Sequence, residues 1–549
     1  MKRISYDRRC TARRIGCAAV SLSLCAVLGC GCAVLPAASE PAASSAVDTI
    51  PTDANGQPLY DPTLLQDGQL RTLYSRGSSG VVLCGSKVVC TFSSSENVSL
   101  VEDSATEETN YFFRTWSDST GRGGRRSALY DKTGTEVRAF DGEWSAALNH
   151  GLLVLREDQL VDGKYTGDYS GYGSCQVIDL SSGESLTVPE NAYNCFVCGD
   201  LLVFNCYARP ADLDADTWDE DHGLHSWVLV QNQDGSTLRR IDAAQSYDLS
   251  YYSSGLPEGW IELDTYRTDS ADGDNTISVL YSPATGEELS GFIQYCGNGA
   301  ACFRTEDCRY ELRDLTAEGC PVLNTFDGQV SYYFSGYAVL WRTDDDFRYE
   351  LQDLVSGKTY PLYAASVTNN DIALYFEDGR LQMFDMTTGD LLMNTTVEPV
   401  ANQQSILMNC EGDGYVWLEL RDNDTYDTTA TRVYGPEGLV SDLTPLQSTY
   451  EYLNYLTTTP EGKPMYYGTR PATGSAYSSV NDVLDADGNV VISGLASCYG
   501  YYSNSLNALP EHIFSAQRGF YCGWMDTTGR WVYCRSIFSS LDDDDQLLW

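Results

Sequence analysis

Carboxylates two residues apart are how a loop wraps a calcium ion, and the chain has one such run: Asp212, Asp214 and Asp216, followed by Asp219, Glu220 and Asp221. A calcium loop needs a glycine at its sixth position for the sharp turn, and counted from Asp212 that position is Thr217. An acidic surface loop is the expectation, with Ca²⁺ as its one candidate ligand and no other cofactor. His222 and His225 are two of four histidines in the chain, and with no helix around them their spacing does not make a zinc site. For nucleophilic catalysis, Gly171-Tyr172-Gly173-Ser174-Cys175 lacks the second glycine of a strand-to-helix elbow. No catalytic residue is assigned. Paired carboxylates for glycoside hydrolysis stay open, because spacing along the chain says nothing about separation across a fold.

Thiols are the other reactive class. Of 19 cysteines, Cys10, Cys17, Cys25 and Cys30 fall in the first thirty residues and Cys32 follows closely, leaving fourteen in the body of the chain. An even count outside the cytoplasm suggests disulfides. Cys522 and Cys534 flank the turn Asp526-Thr527-Thr528-Gly529, and a three-residue hairpin loop there would set them directly opposite. Cys84 and Cys90 bracket Gly85-Ser86-Lys87 in a similar way. Buried free thiols are the alternative.

Cys30 has a different chemistry. Lys2, Arg3, Arg8, Arg9, Arg13 and Arg14 precede an apolar run from Ile15 to Leu28, which ends in Val27-Leu28-Gly29-Cys30. A basic head, a short apolar core and a small residue before the processing point mark an export signal. The last four residues read as a lipobox, after which Cys30 is lipidated and becomes the new N-terminus. Two other outcomes remain open. The stretch from Ile15 to Ala38 has about the ~20 residues that span a bilayer, and cleavage near Ser39 would release a soluble protein. Residues 31–60 are rich in Ala, Ser, Pro and Thr and poor in large apolar residues, so they read as a flexible tether. Residues 61–549 form the folded domain.

Charge narrows the partners. The chain holds 35 Lys and Arg against 77 Asp and Glu; six of the former and one of the latter lie in the first thirty residues, so the rest carries 29 against 76, a formal −47. Such a polyanion is repelled by nucleic acid and by anionic lipid, so contact with the membrane is expected through the N-terminal lipid alone.

What must position these groups is a repeat. Alternating apolar residues, then Asp or a neighbour, two polar residues and Gly recur from Leu129 to Gly134, Val177 to Gly183, Val230 to Gly235, Tyr281 to Gly286, Leu351 to Gly357, Phe384 to Gly389, Tyr434 to Gly438, Leu484 to Gly488 and Met525 to Gly529, with a weaker copy at Arg313 to Gly319. Asp caps such a turn and Gly takes the positive φ that closes it, so each copy predicts a β-hairpin. Further apolar runs such as Gly151 to Leu155 and Asp200 to Phe204 lie between turns. A hairpin plus further strands every 40–50 residues is the period of propeller blades.

Gly523 to Val532 resembles a WG repeat closely, and Ala128 to Phe140 and Val483 to Ile492 resemble it loosely. Phe384 to Leu392 and Ile178 to Leu186 are similar to the Asp-x-x-Thr-Gly-x-x-Leu turn of quinoprotein-like (PQQ-type) propellers. Most copies lack the Trp that ends that turn, so the resemblance implies the fold and not the quinone.

Ten turns exceed the usual four to eight blades, so some turns are expected to share a blade. The expected fold is all-β: one propeller of seven or eight blades of antiparallel strands, its last blade completed by N-terminal strands such as Gly80 to Leu83. The expected function is a monomeric, surface-anchored lipoprotein that binds an envelope protein, peptide or glycan without catalysis. An exported glycosidase-like hydrolase using loop carboxylates is the alternative.

Overall fold

The computed structural model describes residues 65–536, apart from 66, 75–78, 118–124, 158–159, 162–163, 166–173, 208–224, 248–258, 267–275, 306–308, 343–348, 369–370, 399–402, 412–413, 423–424, 426, 473–477, 501–508, 511 and 520. The export signal, Cys30 and the tether therefore lie outside the described residues.

The described chain is a succession of antiparallel meanders. Residues 70–92 form a three-stranded sheet, and six later stretches form one four-stranded sheet each: 192–242, 244–290, 292–326, 403–442, 452–495 and 497–536. Two seven-stranded sheets are pairs of such units. In the first, residues 97–141 and 144–179 join where Asp103 pairs in parallel with Leu148. In the second, the strand Thr359–Thr368 pairs through its first half with Tyr349–Asp353 and through its second half with Asp371–Phe376. It thus ends one unit and begins the next. Among the described residues the count is eleven units, which we number as blades in chain order.

Each neighbouring pair buries its own apolar cluster. Val82 and Phe92 of blade 1 meet Val98 and Phe112 of blade 2. Ala300 and Cys302 of blade 6 meet Val330 and Leu340 of blade 7. Leu456 and Met465 of blade 10 meet Phe514 and Met525 of blade 11. The series then returns to its start, because Leu73, Val81 and Leu83 of blade 1 pack against Ile513, Trp524, Val532 and Tyr533 of blade 11. The result is a closed ring, a β-propeller.

This pattern explains the runs seen in the sequence. Second strands such as Leu152–Glu157, Leu201–Tyr207 and Asp371–Phe376 are covered on both faces by neighbouring blades and so are apolar almost throughout. Fourth strands lie at the outer edge, where Val137, Leu391 and Leu439 are exposed.

All ten turn glycines carry positive φ and follow the third strand of a blade. The expected seven or eight blades give way to eleven, because no two of these turns share a unit. The N-terminal strands also act differently from expectation. They add no hydrogen-bonded strand to blade 11 but form a separate sheet that closes the ring by packing.

Candidate functional site

The turns build one face of the ring. In blade 2 the Asp131 carboxylate accepts from the backbone N–H of Thr133 (2.8 Å) and of Thr135 (3.0 Å). Asp526 does the same for Thr528 (2.9 Å) and Arg530 (3.0 Å). The connections between first and second strands emerge on this face too; they are tight at His150-Gly151 and Ser335-Gly336 and run through 248–260 in blade 5 and 500–512 in blade 11. They grip one another from blade to blade. Buried Asp103 accepts from the N–H groups of His150 (2.9 Å) and Gly151 (2.8 Å), and Asn298 Nδ2 donates to Tyr333 O (2.6 Å).

Antiparallel strands send the alternate connections to the opposite face. There the second strand leads to the third through 118–124 in blade 2, 208–225 in blade 4, 267–275 in blade 5 and 342–348 in blade 7. Third-to-fourth-strand turns thus fall on the first face, and second-to-third-strand connections and blade-to-blade links on the second.

The described residues of that second face form a cleft of about 190 Å³, lined among others by Ser95, Glu96, Asn97, Trp116, Arg125 and Glu143. Ser95 to Asn97 come from the link between blades 1 and 2, and Glu143 from the link between blades 2 and 3. Trp116 and Arg125 stand at the end of the second strand and the start of the third strand of blade 2.

Two ion pairs frame the cleft. Arg114 Nη2 donates to Glu96 Oε1 (2.6 Å), and Glu96 Oε2 also accepts from Ser93 N (2.8 Å). Arg125 pairs with Glu143. The Arg114 guanidinium lies over the Trp116 ring, 5.3 Å from its centroid, as expected for two residues on one face of a strand. Beneath, buried Ser127 bonds Thr115 Oγ1 (3.0 Å) and Gly142 O (3.0 Å) and accepts from Trp144 N (3.1 Å), which pins the links to the sheet. An indole edge, hydroxyls and an amide offer hydrogen bonds and ring contact to a polar ligand. Each carboxylate is paired with an arginine, and Glu143 Oε2 is buried with no hydrogen-bond partner among the described residues.

Other residues singled out in the sequence are scattered. Asp212, Asp214, Asp216, Asp219 and His222 lie outside the described residues. Ser174 Oγ donates to Glu157 Oε2 (2.7 Å).

Neither expected disulfide fits the observed register. Cys522 pairs opposite Arg535, and Cys534 opposite Gly523. A β-bulge between Trp524 and Met525 slips the pairing by one, which turns the two thiols to opposite faces of the sheet. Cys84 stands opposite Lys87 and Cys90 opposite Val82, because the turn is the two-residue Gly85-Ser86. All four thiols are free. Burial pushes the Cys534 thiol up to about 12.

The cleft escaped sequence reasoning. Arg114-x-Trp116 shows the strand alternation, and Arg125 and Glu143, eighteen residues apart, meet at the far end of the hairpin that turns at Gly134, in a register set by the bulge between Leu129 and Tyr130.

Ring, turns and cleft define a β-propeller. Residues 280–544, a little under half of the chain, match a family described as a domain of unknown function, DUF5046. No curated protein matches the sequence. Solved structures similar to the chain include BamB from Moraxella catarrhalis, 10% identical over 77% of this chain and 95% of that one, with a TM-score of 0.21. A eukaryotic initiation factor is 11% identical over 66% and 93%, with a TM-score of 0.31. The β-propeller domain of the Trilobed protease from Pyrococcus furiosus is 8% identical over 63% and 94%, with a TM-score of 0.25.

Proposed function

We propose that the chain is an exported lipoprotein, anchored through Cys30, whose propeller is a non-enzymatic binding module for an envelope protein, peptide or glycan. The observation that carries this reading is the Trp116 cleft on one face of the ring. Tight, mutually hydrogen-bonded turns make one face a rigid base. The other holds the Trp116 cleft, and binding groups over a rigid scaffold are the common arrangement for recognition. The acidic surface directs such a module away from nucleic acid and anionic lipid.

Two measurements test it. The mass of the mature N-terminus should show an acylated Cys30, and a retained Met1 or an unacylated start near Ser39 would refute the anchor. Photo-crosslinkers placed at Ser117 and Arg125 should capture envelope components in cells, whereas the same groups at Lys132 and Thr528 on the turn face should not. Equal yields from the two faces would sink the binding assignment.

A further inference from the structure

Three thiols that the sequence did not connect meet at one blade interface. Cys175 begins the third strand of blade 3, and Cys195 and Cys206 lie on the first two strands of blade 4, Ala192–Cys198 and Leu201–Tyr207. All three are buried in a single apolar cluster with Val154, Val177 and Phe204. The register explains their common face. Cys195 stands opposite Phe204, and Cys206 lies two residues beyond Phe204, so both point the same way, toward blade 3. All three are free thiols in the packed interface, and their contacts there are weak: Cys195 Sγ reaches Phe196 O at 3.7 Å and Cys206 Sγ reaches Phe204 O at 4.0 Å. The proximity of the three is also felt electrostatically, since Cys175 interacts with both Cys195 and Cys206.

We infer that Cys175 forms a disulfide with Cys195 or Cys206, stapling blade 3 to blade 4 and leaving one thiol reduced. The step is thiol–disulfide exchange with an oxidised dithiol or glutathione disulfide. One cysteine thiolate attacks a sulfur of that disulfide, whose S–S bond breaks to leave a mixed disulfide. The second cysteine then displaces the carrier. The pair gives up two protons and two electrons, and the oxidant departs as two thiols. Burial fixes the timing. It pushes the Cys175 and Cys206 thiols up to about 12, so the packed interface holds no thiolate and the exchange precedes docking of the two blades. The staple rests on the exported reading, because cytosolic thiol pools keep such pairs reduced.

The test separates the two. Full-length protein, unfolded with reductant, is refolded in mixed reduced and oxidised glutathione, alkylated and peptide-mapped; the result does not depend on where the chain resides in the cell. A peptide pair joining Cys175 to Cys195 or Cys206, about 2 Da lighter than its separate thiols, is expected. It should vanish in Cys175→Ala and persist in Cys302→Ala, a buried thiol at another interface. The same map on full-length protein recovered without refolding from an oxidising compartment should agree. Alkylation of all three thiols, or a link between Cys195 and Cys206 alone, would overturn the staple.

Discussion

The aspartates of the turns show how a repeated residue shapes the molecule's response to acid. The Thr133 hydroxyl and nearby backbone N–H groups hold Asp131 below the usual carboxylate range. Ser181 and Ser182 do the same for Asp179, and the N–H groups of Thr388 and Thr387 for Asp385. A carboxyl lower in the folded than in the unfolded chain adds stability that is fully present above its unfolded value, near ~3.9, and is lost as pH falls through the folded value. Asp371 has the opposite sign. Burial, and then Asp385 directly across the hairpin, raise it, so its protonation relieves the fold. Thermal melts between about pH 6 and pH 2.5 should therefore hold level or rise slightly at first, then fall below about pH 4 as the turns protonate. A steady decline beginning near neutrality would contradict the role given to the turns.

At the scale of the element, the turn is both a local structure and a docking piece. Gly134 has φ +82°, and a Cβ there would lie 2.5 Å from Val89 O on the outer strand of blade 1. Gly183 has φ +74° but faces open space. Gly183→Ala should cost about 1–2 kcal/mol for the left-handed backbone alone. Gly134→Ala should cost that plus about 1–3 kcal/mol of overpacking against the carbonyl. Hydrogen exchange in the two hairpins would read the difference, and equal costs would mean that the turn does not dock. The turns were the most legible part of the sequence, because Asp and Gly act within five residues of each other. Register was not legible. Next to the Asp526 turn the pairing follows the count from the loop, with Met525 opposite Trp531, but the bulge shifts it to Trp524 opposite Tyr533. A bulge depends on the twist the ring demands, and no residue type announces it.

For the whole molecule the decisive contact is the closure between blades 1 and 11. Trp524 is fully buried there among Leu73, Val81 and Leu83. Trp524→Ala should cost about 3–5 kcal/mol, and the protection lost should appear in Leu70–Tyr74 and Gly80–Cys84 as well as in blade 11. Loss confined to blade 11 would show that the ring does not depend on this contact. The blade count belongs to this scale too. The ten turns could be counted in the sequence, yet how many sheets they serve depends on how far each sheet is rotated from the next.

By itself, the sequence determined the all-β class, the ten turns and the acidic surface, because each is set by residues within one hairpin or by composition. The tertiary structure alone decided the number of blades, the closure by a separate N-terminal sheet, and which thiols and charges meet. Those outcomes depend on the angle and register between sheets. The Cys175, Cys195 and Cys206 cluster exists only because blades pack side by side, a relation that spacing along the chain does not encode.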